Sequence, residues 1–414
     1  MAEWDAESVR TGVRQFLEQA WDPELPLADW RELLVDSGWG VPTWPRHQLG
    51  LGVPPALATV VAEEFERTGA VGAATGAGMS LAAPTLLEHG SDDVRSRFLR
   101  RIVTGGDKWC QLFSEPGSGS DLAGLTTRAE RDGDEWVVNG QKVWTTGARS
   151  ADRAMLVART DWDAPKHRGI TYFVLPMHQP GVEVRPLQQM NGYASFNEVF
   201  LTDARVPAGD VVGDLGHGWA VALTTLAHER TLGTARLFSP APSGGGRTAR
   251  EAAEEAAEYA KTYVWYPQRA GRPDLVLSHL RGTGRAGDAV LRQQAVDIEV
   301  RQRVALWNVA RARDARSAGQ RPGPEGSLAK LTGTDLARRA SAVHAATAGA
   351  AAALTGEGSA LDGLVAEIVT SVPAGSIAGG TDEIQRNILG ERTLGLPREP
   401  SVDSDVPFRD VRRN

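Results

Sequence analysis

Apolar side chains recur at helical intervals over the first 108 residues. One set, Trp30, Leu33 and Leu34, leads to Gly38, and glycine commonly terminates helices. A second set follows Pro54-Pro55, which favours a helix start, and comprises Leu57, Val60, Val61 and Phe65. The spacing predicts an N-terminal helical domain, residues 1–108, with these side chains in its core.

Between residues 109 and 213 the apolar positions form short runs separated by Gly, Pro and Asp. These runs are Ala154–Ala158, Ile170–Leu175, Val182–Val184 and Glu198–Leu201. Asn139-Gly140 separates two further alternating segments, which predicts the turn of a β-hairpin. We therefore expect a central β domain, residues 109–213, built as a small barrel or sandwich.

The helical period returns after Gly216-His217-Gly218. The helical segments are Trp219–Leu237, Arg250–Val264, Val290–Ala318, Gly326–Leu354 and Asp382–Leu394. They predict a C-terminal helical bundle of the four-helix type, residues 214–400, with a flexible connection at Ser239–Gly246. Residues 401–414 are expected to be a poorly ordered tail. The fold class is thus α+β with several domains.

Composition argues against several classes of protein. A net charge of −7 without a run of Lys or Arg disfavours a nucleic-acid partner. The single Cys110 allows no internal disulfide, and the acidic N-terminus has no apolar core of a signal peptide, so we expect a cytoplasmic location. The eight histidines lack ligand spacing, which predicts no metal. The longest weakly apolar run, Ala342–Leu354, is mostly alanine, so we expect no membrane insertion.

The stretch Trp109–Thr146 carries the strongest motif. Its loop, Ser-Glu-Pro-Gly-Ser-Gly-Ser-Asp, presents the hydroxyls of Ser114, Ser118 and Ser120 beside glycines. A polar ligand with phosphates could lie close to backbone N–H groups there. An ordinary surface loop is the alternative, because the Gly-Lys-Ser/Thr of a P-loop is missing.

Several sequence blocks resemble the acyl-CoA dehydrogenase family. The flavin-binding signature of that family is similar to WCQLFSEPGSGSDLA followed by NGQKVWTTGA. Gly38-Trp39 with Thr43-Trp44-Pro45 upstream, and Ala378–Arg386 (AGGTDEIQR) near the C-terminus, fall in the family's order and spacing. The resemblance covers roughly the whole chain and is weakest between Phe238 and Leu291. It implies the family's order of helical domain, β-barrel and helical bundle.

The resemblance also implies FAD as cofactor. The backbone from Leu112 to Ser114 and the Ser114 hydroxyl would lie near the flavin pyrimidine edge, and Thr146 would bond toward the flavin N5 region. Trp144 would cover one ring face, since a strand end can hold a rigid aromatic side chain in fixed register. Core packing is the alternative for Trp144. Ser120 matches a family position near the pyrophosphate or the pantetheine of CoA, so it is a candidate for cofactor or substrate binding.

A second cofactor segment is expected near the C-terminus. Thr381 is a plausible N-cap of a helix whose first turn contains Asp382 and Glu383. In the family this turn approaches the FAD ribose and adenine, and two carboxylates there favour recognition of hydroxyls over phosphate. Gly380 in the same turn is a candidate substrate contact. A plain capped helix remains the alternative.

Gly379 departs from the pattern of many family members, which have their catalytic glutamate at this position. The base must come from elsewhere, and Glu229 matches the position on an earlier helix used by isovaleryl-CoA and long-chain relatives. Arg230 follows it as in those relatives and is a candidate substrate contact. Leu223, Leu226 and Leu237 predict a largely apolar helix, on which a desolvated carboxylate would have a raised pKa. The backbone N–H near Gly379 would polarise the thioester carbonyl. The alternative is that Glu229 and Arg230 form an ordinary surface salt bridge.

Two further segments depart from the family pattern for contacts with the neighbouring subunit's FAD. An Arg before Phe-Gly and a Gln before Gly-Gly-x-Gly are usual, whereas residues 281–288 read RGTGRAGD and residues 352–358 read AALTGEG. Bacterial steroid-side-chain dehydrogenases built from two different subunits show a similar loss. The assembly could therefore be a homo-oligomer, dimeric or tetrameric, or a heterotetramer with a related subunit.

The leading hypothesis is FAD-dependent conversion of an acyl-CoA, or an acyl-carrier thioester, to its trans-2-enoyl product. Moving the base away from Gly379 leaves space, so a branched, long or ring-bearing acyl group is expected. Electron-transfer flavoprotein or another acceptor would reoxidise the enzyme. The alternatives are a flavin monooxygenase or oxidase on the same fold, which needs no such base, and a non-catalytic subunit of a heteromeric enzyme.

Overall fold

The computed structural model describes residues 4–232, 244–317, 323, 325–400 and 403–411. These residues form two compact units. The first contains the described residues of Met1–Leu187, Ala194–Thr262 and Ser401–Asn414. The second contains those of Gln188–Tyr193 and Tyr263–Pro400. The predicted domain boundaries near residues 108, 213 and 400 stay predictions.

The first unit begins with helices whose ends follow from local sequence. They are α1 Ala6–Ala20, α2 Leu27–Ser37, α3 Ala58–Thr68, α4 Ala83–His89 and α5 Asp92–Thr104, with a π-helical turn at Gly78–Ala82 before α4. Asp5 caps α1, accepting from the Ser8 N–H at 2.7 Å. Gly38 ends α2 with φ at 77°, a conformation that favours glycine.

The predicted core of these helices is mostly confirmed. Trp30 and Leu34 are fully buried, and Val60 and Val61 are buried with them. The prediction for Leu33 is wrong: its side chain is 40% exposed. Helical spacing places position 33 at the edge of the apolar stripe, where neighbouring positions differ in burial.

An eight-stranded sheet follows in the described residues. Its strands are β1 Trp109–Leu112, β2 Arg128–Asp132, β3 Glu135–Thr146, β4 Arg153–Arg159, β5 Ile170–Pro176, β6 Val182–Leu187, β7 Phe196–Pro207 and β8 Val211–Val212. The order is β6-β7-β3-β2-β4-β5-β8, and β1 pairs with β4 in parallel. Side chains from β1, β3, β4, β5 and β7 share one core, so the sheet curls around its own interior as the predicted small barrel requires.

The hairpin predicted at Asn139-Gly140 is wrong. The two segments are one continuous strand, β3, with a register shift between Val138 and Gly140. The hairpin turn lies earlier, where Asp132 pairs with Glu135 around Gly133. Glycine is required at 140 by close approach, since a Cβ there would lie 2.4 Å from Thr127 Oγ1. The dipeptide therefore marks a β-bulge.

Two helices and a C-terminal segment complete the first unit. Helix α6 spans Gly218–Leu232 and α7 spans Arg247–Lys261. The expectation of a poorly ordered tail is wrong for residues 403–411. Phe408 is buried, its N–H donates to the Ala164 carbonyl at 3.0 Å, and its ring stacks against the Arg159 guanidinium. An isolated aromatic in an acidic segment gave no periodic signal for this packing.

The second unit is helical in its described residues. Its helices are α8 Tyr266–Arg269, α9 Val276–Gly282, α10 Ala289–Ser317, α11 Glu325–Ala348, α12 Leu364–Ser371, α13 Pro373–Ile377 and α14 Asp382–Arg392. Apolar side chains of α9, α10 and α11 form one core. The predicted helices are confirmed, although α11 ends at Ala348 and a 3-10 segment, Gly349–Ala353, follows. Most of Ser239–Gly246 and Leu237 lie outside the described residues.

One helical run among the described residues, Ala360–Arg392, is long and apolar enough to cross a membrane by length and composition alone. It is not one continuous helix, because α12, α13 and α14 are separate and Gly379 and Gly380 have φ of 67° and 82°. Lipid disfavours such breaks unless other groups satisfy the freed backbone. The expected lack of membrane insertion stays a prediction.

Candidate active site

The loop that begins at Ser114 and strand β3 are joined directly. The Ser114 carbonyl accepts from the Val143 N–H of β3 at 2.9 Å. Glu115 and Ser118 exchange two backbone hydrogen bonds of 3.0 Å, which closes a tight turn around Pro116 and Gly117. The Ser114 backbone is therefore held next to Val143 of β3, one residue before Trp144.

A buried ion pair fixes the base of this loop. Lys142 Nζ donates to Glu115 Oε1 at 2.9 Å and to the Phe113 carbonyl at 3.0 Å. Glu115 also accepts from the N–H groups of Thr126 and Thr127 at 2.7 and 2.9 Å. Burial alone would raise the pKa of Glu115, but the Lys142 charge and these donors outweigh it and lower the pKa to about 2. The carboxylate therefore stays ionised, and it bonds the loop to Lys142 of β3 and to the two residues that precede β2.

Trp144 has an unusual conformation for a large side chain. Its φ is 63°, it lies in the register shift between Lys142 and Thr145, and it is 56% exposed. Its ring meets Phe196 edge to face at 5.7 Å. A positive φ at a bulky residue carries strain of about 1–3 kcal/mol, and such strain concentrates at functional sites. The core-packing alternative is wrong, because 56% of the Trp144 surface is exposed.

Thr146 lies two residues beyond Trp144 on β3, after the register shift. Its hydroxyl makes no hydrogen bond within the described residues. In the loop, Ser118 is buried, whereas Ser120 is exposed. The Gly119 and Ser120 N–H groups likewise bond to nothing in the described part of the chain. Leu112 lies in the barrel core, so only its backbone is available to a ligand.

Glu229 lies on the inner side of α6. It follows the buried Val221 and Thr225 at intervals of four residues, so the three share one helix face. Glu229 is half-buried, and Gln111 Nε2 of β1 lies 3.5 Å from its Oε2. The side chain of Arg230 is outside the described residues. Glu229 thus faces the barrel strand that leads into the Ser114 loop.

In the second unit, two hydrogen bonds hold the turn that precedes α14. The Thr381 hydroxyl accepts from the Ile384 N–H at 3.3 Å, which confirms the predicted N-cap. Gln385 Nε2 donates to the Gly379 carbonyl at 2.8 Å, and a Cβ at Gly380 would lie 2.6 Å from that nitrogen. A Cβ at Gly379 would meet no described atom within 4 Å. Glycine is favoured at both positions by φ of 67° and 82°, and only Gly379 has open space beside it.

The two first-turn carboxylates of α14 are not equivalent, contrary to the expectation that both would repel an anion. Asp382 is buried and bonded to Lys330 at 2.7 Å and Arg338 at 3.1 Å. Burial opposes its ionisation, but these cations keep the pKa of Asp382 below its usual value. Glu383 is exposed and contacts Arg386 at 3.4 Å. Asp382 anchors the turn, and only Glu383 is free to face a ligand.

Residues 281–288 contain two arginines, Arg281 and Arg285, whose side chains differ in their contacts within the chain. Arg285 donates to the carbonyls of Ala346 and Thr347 at the end of α11, and it pairs with Asp288 at 3.2 Å. The Arg281 side chain is exposed and makes no hydrogen bond or ion pair within the described residues. Of the two candidates, Arg281 alone is available to an external anion.

Sequence reasoning missed Gln111, Glu115 and Lys142. Two of them had a weak signal: Gln111 is the polar residue of the apolar run WCQLF, and Lys142 is a cation inside a β segment. Their partners lie 118 and 27 residues away, so the pairings could not be read from the sequence. In the described residues no group of three or more His, Cys, Asp or Glu side chains is placed to hold a metal ion.

Family models match the chain along nearly its whole length. The N-terminal domain of acyl-CoA dehydrogenase matches residues 4–106, its middle domain residues 110–204 and its C-terminal domain residues 216–394. Acyl-CoA dehydrogenase IpdE1 of Mycobacterium tuberculosis is 35% identical over 370 residues, which is 89% of this chain and 88% of the relative. The chain belongs to the acyl-CoA dehydrogenase family, and it is an oxidoreductase that acts on a CH–CH group.

Solved structures show the same fold. The ChsE4–ChsE5 complex from Mycobacterium tuberculosis is 26% identical with a TM-score of 0.63, covering 96% of this chain and 100% of that chain. A variant of the Tcur3481–Tcur3483 steroid ACAD is 25% identical with a TM-score of 0.64, covering 95% and 99%. The predicted fold class is thereby confirmed.

Family membership implies a flavin, and the residues around Trp144 fit one. The exposed indole offers a rigid plate for a planar ring, and the Thr146 hydroxyl two residues further along β3 makes no hydrogen bond within the described residues. The Gly119 and Ser120 N–H groups suit phosphate oxygens, and a Cβ at Gly117 or Gly119 would meet open space. The donor set therefore matches a flavin nucleotide.

Proposed function

We propose that this chain uses FAD to convert an acyl-CoA to the trans-2-enoyl-CoA, with Glu229 as the base. The observation that carries the proposal is the placement of Glu229 beside Gln111. Gln111 precedes Ser114 by three residues, a span of at most about 11 Å. Ser114 is bonded to β3 next to Trp144. The candidate base and the candidate flavin platform thus adjoin one short strand segment.

FAD when bound would supply the acceptor for the hydride that leaves the substrate β-carbon. The indole of Trp144 would pack on its ring system, and the hydroxyls of Thr146 and Ser114 would bond to ring heteroatoms. The N–H groups of Gly119 and Ser120 would hold phosphate oxygens. Among the other predicted contacts, those of Thr381 and Glu383 with FAD and of Ser120, Arg230 and Gly380 with substrate stay predictions.

The chain's own residues would manage the α-proton. The Cα–H bond of the thioester breaks, and its proton passes to a carboxylate oxygen of Glu229. The Gln111 amide, donating toward Oε2, orients the carboxylate, leaving its other oxygen for the proton. A flavin monooxygenase would need no such base, so the position of Glu229 favours the dehydrogenase over that alternative. The same residue argues against a non-catalytic subunit.

The acyl group is proposed to be branched, long or ring-bearing. The name of the Tcur3481–Tcur3483 relative, a steroid ACAD, supports a bulky group. So does the open space at Gly379, which no described side chain fills.

We propose an oligomer, with a second related subunit as the favoured partner. Arg285 is used inside the chain, which removes one of two arginines from a homomeric cofactor contact. Helix α10 exposes a stripe at intervals of three and four residues, comprising Val296, Val300, Val304 and Trp307. One solved relative, the ChsE4–ChsE5 complex, contains two differently named chains. An electron-transfer flavoprotein is the proposed acceptor.

The test is anaerobic bleaching of the purified protein by a panel of thioesters. We expect a yellow protein whose flavin absorbance is lost with a branched, long or steroid-side-chain acyl-CoA, and kcat/KM for these above that for butyryl-CoA. Pivaloyl-CoA is the matched control, because it has no α-hydrogen and should bind without bleaching. A protein that takes up no FAD, even with a related subunit present, would contradict the cofactor. A clear preference for butyryl-CoA would contradict the acyl group only.

A further inference from the structure

Three hydroxyls form a chain in the core beneath α6. Tyr172 of β5 lies 3.1 Å from Thr225 of α6, and Thr225 lies 2.9 Å from Thr85 of α4. Thr85 in turn donates to the Leu81 carbonyl in the π-helical turn, at 2.8 Å. All three hydroxyl-bearing residues are fully buried. The chain therefore links a strand and two helical segments through bonds that water does not reach.

Each threonine hydroxyl also has a carbonyl acceptor in its own helical segment. Thr85 Oγ1 donates to the Leu81 carbonyl at 2.8 Å, and Thr225 Oγ1 lies 3.3 Å from the Val221 carbonyl. Thr225 can therefore give its proton to Thr85 Oγ1 or to that carbonyl while its lone pairs accept from Tyr172. Burial raises the pKa of the Tyr172 phenol, which therefore remains a donor. Each hydroxyl donates once, and aligned bonds of this kind strengthen one another in a low-dielectric interior.

These bonds fix the axial position and the rotation of α6. At its first residue, Gly218, a Cβ would lie 2.5 Å from the backbone of Thr171 and Tyr172, so the helix starts in direct contact with β5. Thr225 makes a second contact with β5 seven residues later, about 10 Å along the axis. Glu229 follows one turn beyond, about 6 Å further and on the same face. Apolar packing alone would tolerate small slides of the helix, whereas two directional bonds do not.

We infer that Thr225, held between Tyr172 and Thr85, is a positioning residue that sets the reach of the Glu229 carboxylate toward the substrate α-carbon. The inference rests on the proposed role of Glu229. A misplacement of about 1 Å at a reacting group can lower a rate by about 100-fold. Loss of the Thr225 hydroxyl should therefore lower the rate of proton removal more than it lowers binding.

The experiment compares Thr225→Val with Thr225→Ser, which keeps the hydroxyl. The control is Thr248→Val on α7, an equally buried threonine that loses its bonds to the Leu25 and Pro23 carbonyls. With the preferred thioester, Thr225→Val should lose about 10- to 100-fold in kcat, whereas its KM and its FAD content should stay near parental. Thr225→Ser should keep most of the parental kcat, and Thr248→Val should keep all of it. Hydrogen exchange of backbone amides in residues 218–232 should rise in Thr225→Val only.

Parental kcat in Thr225→Val, or equal loss in Thr225→Ser, would overturn the inference, as would equal rate losses in Thr225→Val and Thr248→Val. If Thr225→Val fails to fold, Tyr172→Phe removes the first donor with less disturbance and should show a smaller loss in kcat; an unchanged kcat there counts against the inference. Glu229→Gln is measured in parallel. If that variant bleaches at the parental rate, the proposed base is wrong; if it is slow while Thr225→Val is parental, only the positioning role fails.

Discussion

The two units bury polar side chains in different ways. In the first, the charges of Lys142 and Glu115 are fully paired, and the hydroxyl chain through Thr225 is neutral. In the second, His279 and His344 stack in the interior with their Nδ1 atoms 3.0 Å apart. The first arrangement keeps its protonation over a wide pH range, whereas the second contains imidazoles whose pKa burial lowers below the ordinary 6.5.

The histidine pair has a defined hydrogen-bond order. His344 Nε2 lies 3.0 Å from the Arg272 carbonyl, so it must donate, and in the neutral ring its Nδ1 then accepts from His279. This leaves His279 Nε2 buried without a partner in the described residues. Protonation of the pair would place an N–H at that buried position. Acid is therefore expected to loosen the second unit before the first.

The largest effect is expected from Lys142→Met, which leaves the buried Glu115 carboxylate without its cation. We expect a loss of about 3–5 kcal/mol in the free energy of unfolding, measured by urea denaturation. Lys261→Met is the control, because its pair with Glu258 is exposed and should matter little. A loss no larger than that of the control would show that the ion pair does not hold the loop.

The same pair, Lys142 and Glu115, predicts how the stability of the first unit falls in acid. The folded-state pKa of Glu115, about 2, lies below its ordinary 4.5. A depressed carboxyl pKa contributes stability that is complete above pH 4.5 and lost as pH falls toward 2.

The next effect is the pH dependence of the second unit. Burial, more than the neighbouring charges, lowers the pKa of both His279 and His344 below 6.5. Their contribution to stability is therefore complete above pH 6.5 and falls as pH drops below it, by up to about 1.4 kcal/mol per pH unit for each proton bound. Hydrogen exchange should rise in α9 and α11 at pH 5.5 while β4 and β5 stay protected.

His279→Phe removes the titrating ring with little change in shape, and it should flatten this pH dependence. His47→Gln, at an exposed position in the first unit, should leave it unchanged. An equally steep loss of protection in His279→Phe would mean that another group controls the acid response.

The smallest effect is expected from Tyr172→Phe. The variant loses one buried hydrogen bond, so unfolding should become easier by about 1 kcal/mol. Because no group in the hydroxyl chain titrates near neutrality, the loss measured by thermal unfolding should be the same at pH 5.5 and 7.5. If the loss differs between pH 5.5 and pH 7.5, the contrast between a pH-independent hydroxyl chain in the first unit and a titrating histidine pair in the second would be wrong.

The sequence predicted element types far better than tertiary partners. Periodicity located the helices and most strands because it reports which face is buried, a local property. It failed at Asn139-Gly140, where glycine is required because Thr127, from another part of the chain, approaches the backbone closely. It also failed at Phe408, whose packing against Arg159 has no local signal.

The candidate site shows the same limit. The resemblance identified Trp144, Thr146 and Glu229, but the strain at Trp144 appears only with the backbone angles. Gln111 and the hydroxyl chain pair residues 53 to 140 positions apart, so only the folded chain shows them.

The most direct test of the central claim is the rate of anaerobic flavin reduction by acyl-CoA in Glu229→Gln. The amide keeps the size of the side chain but cannot take the α-proton. Glu88→Gln on α4, with an exposed side chain, is the control. We predict that Glu229→Gln binds FAD and thioester as the parent does, and that its flavin is reduced slower by orders of magnitude. Reduction at the parental rate would contradict the assignment of Glu229 as the base.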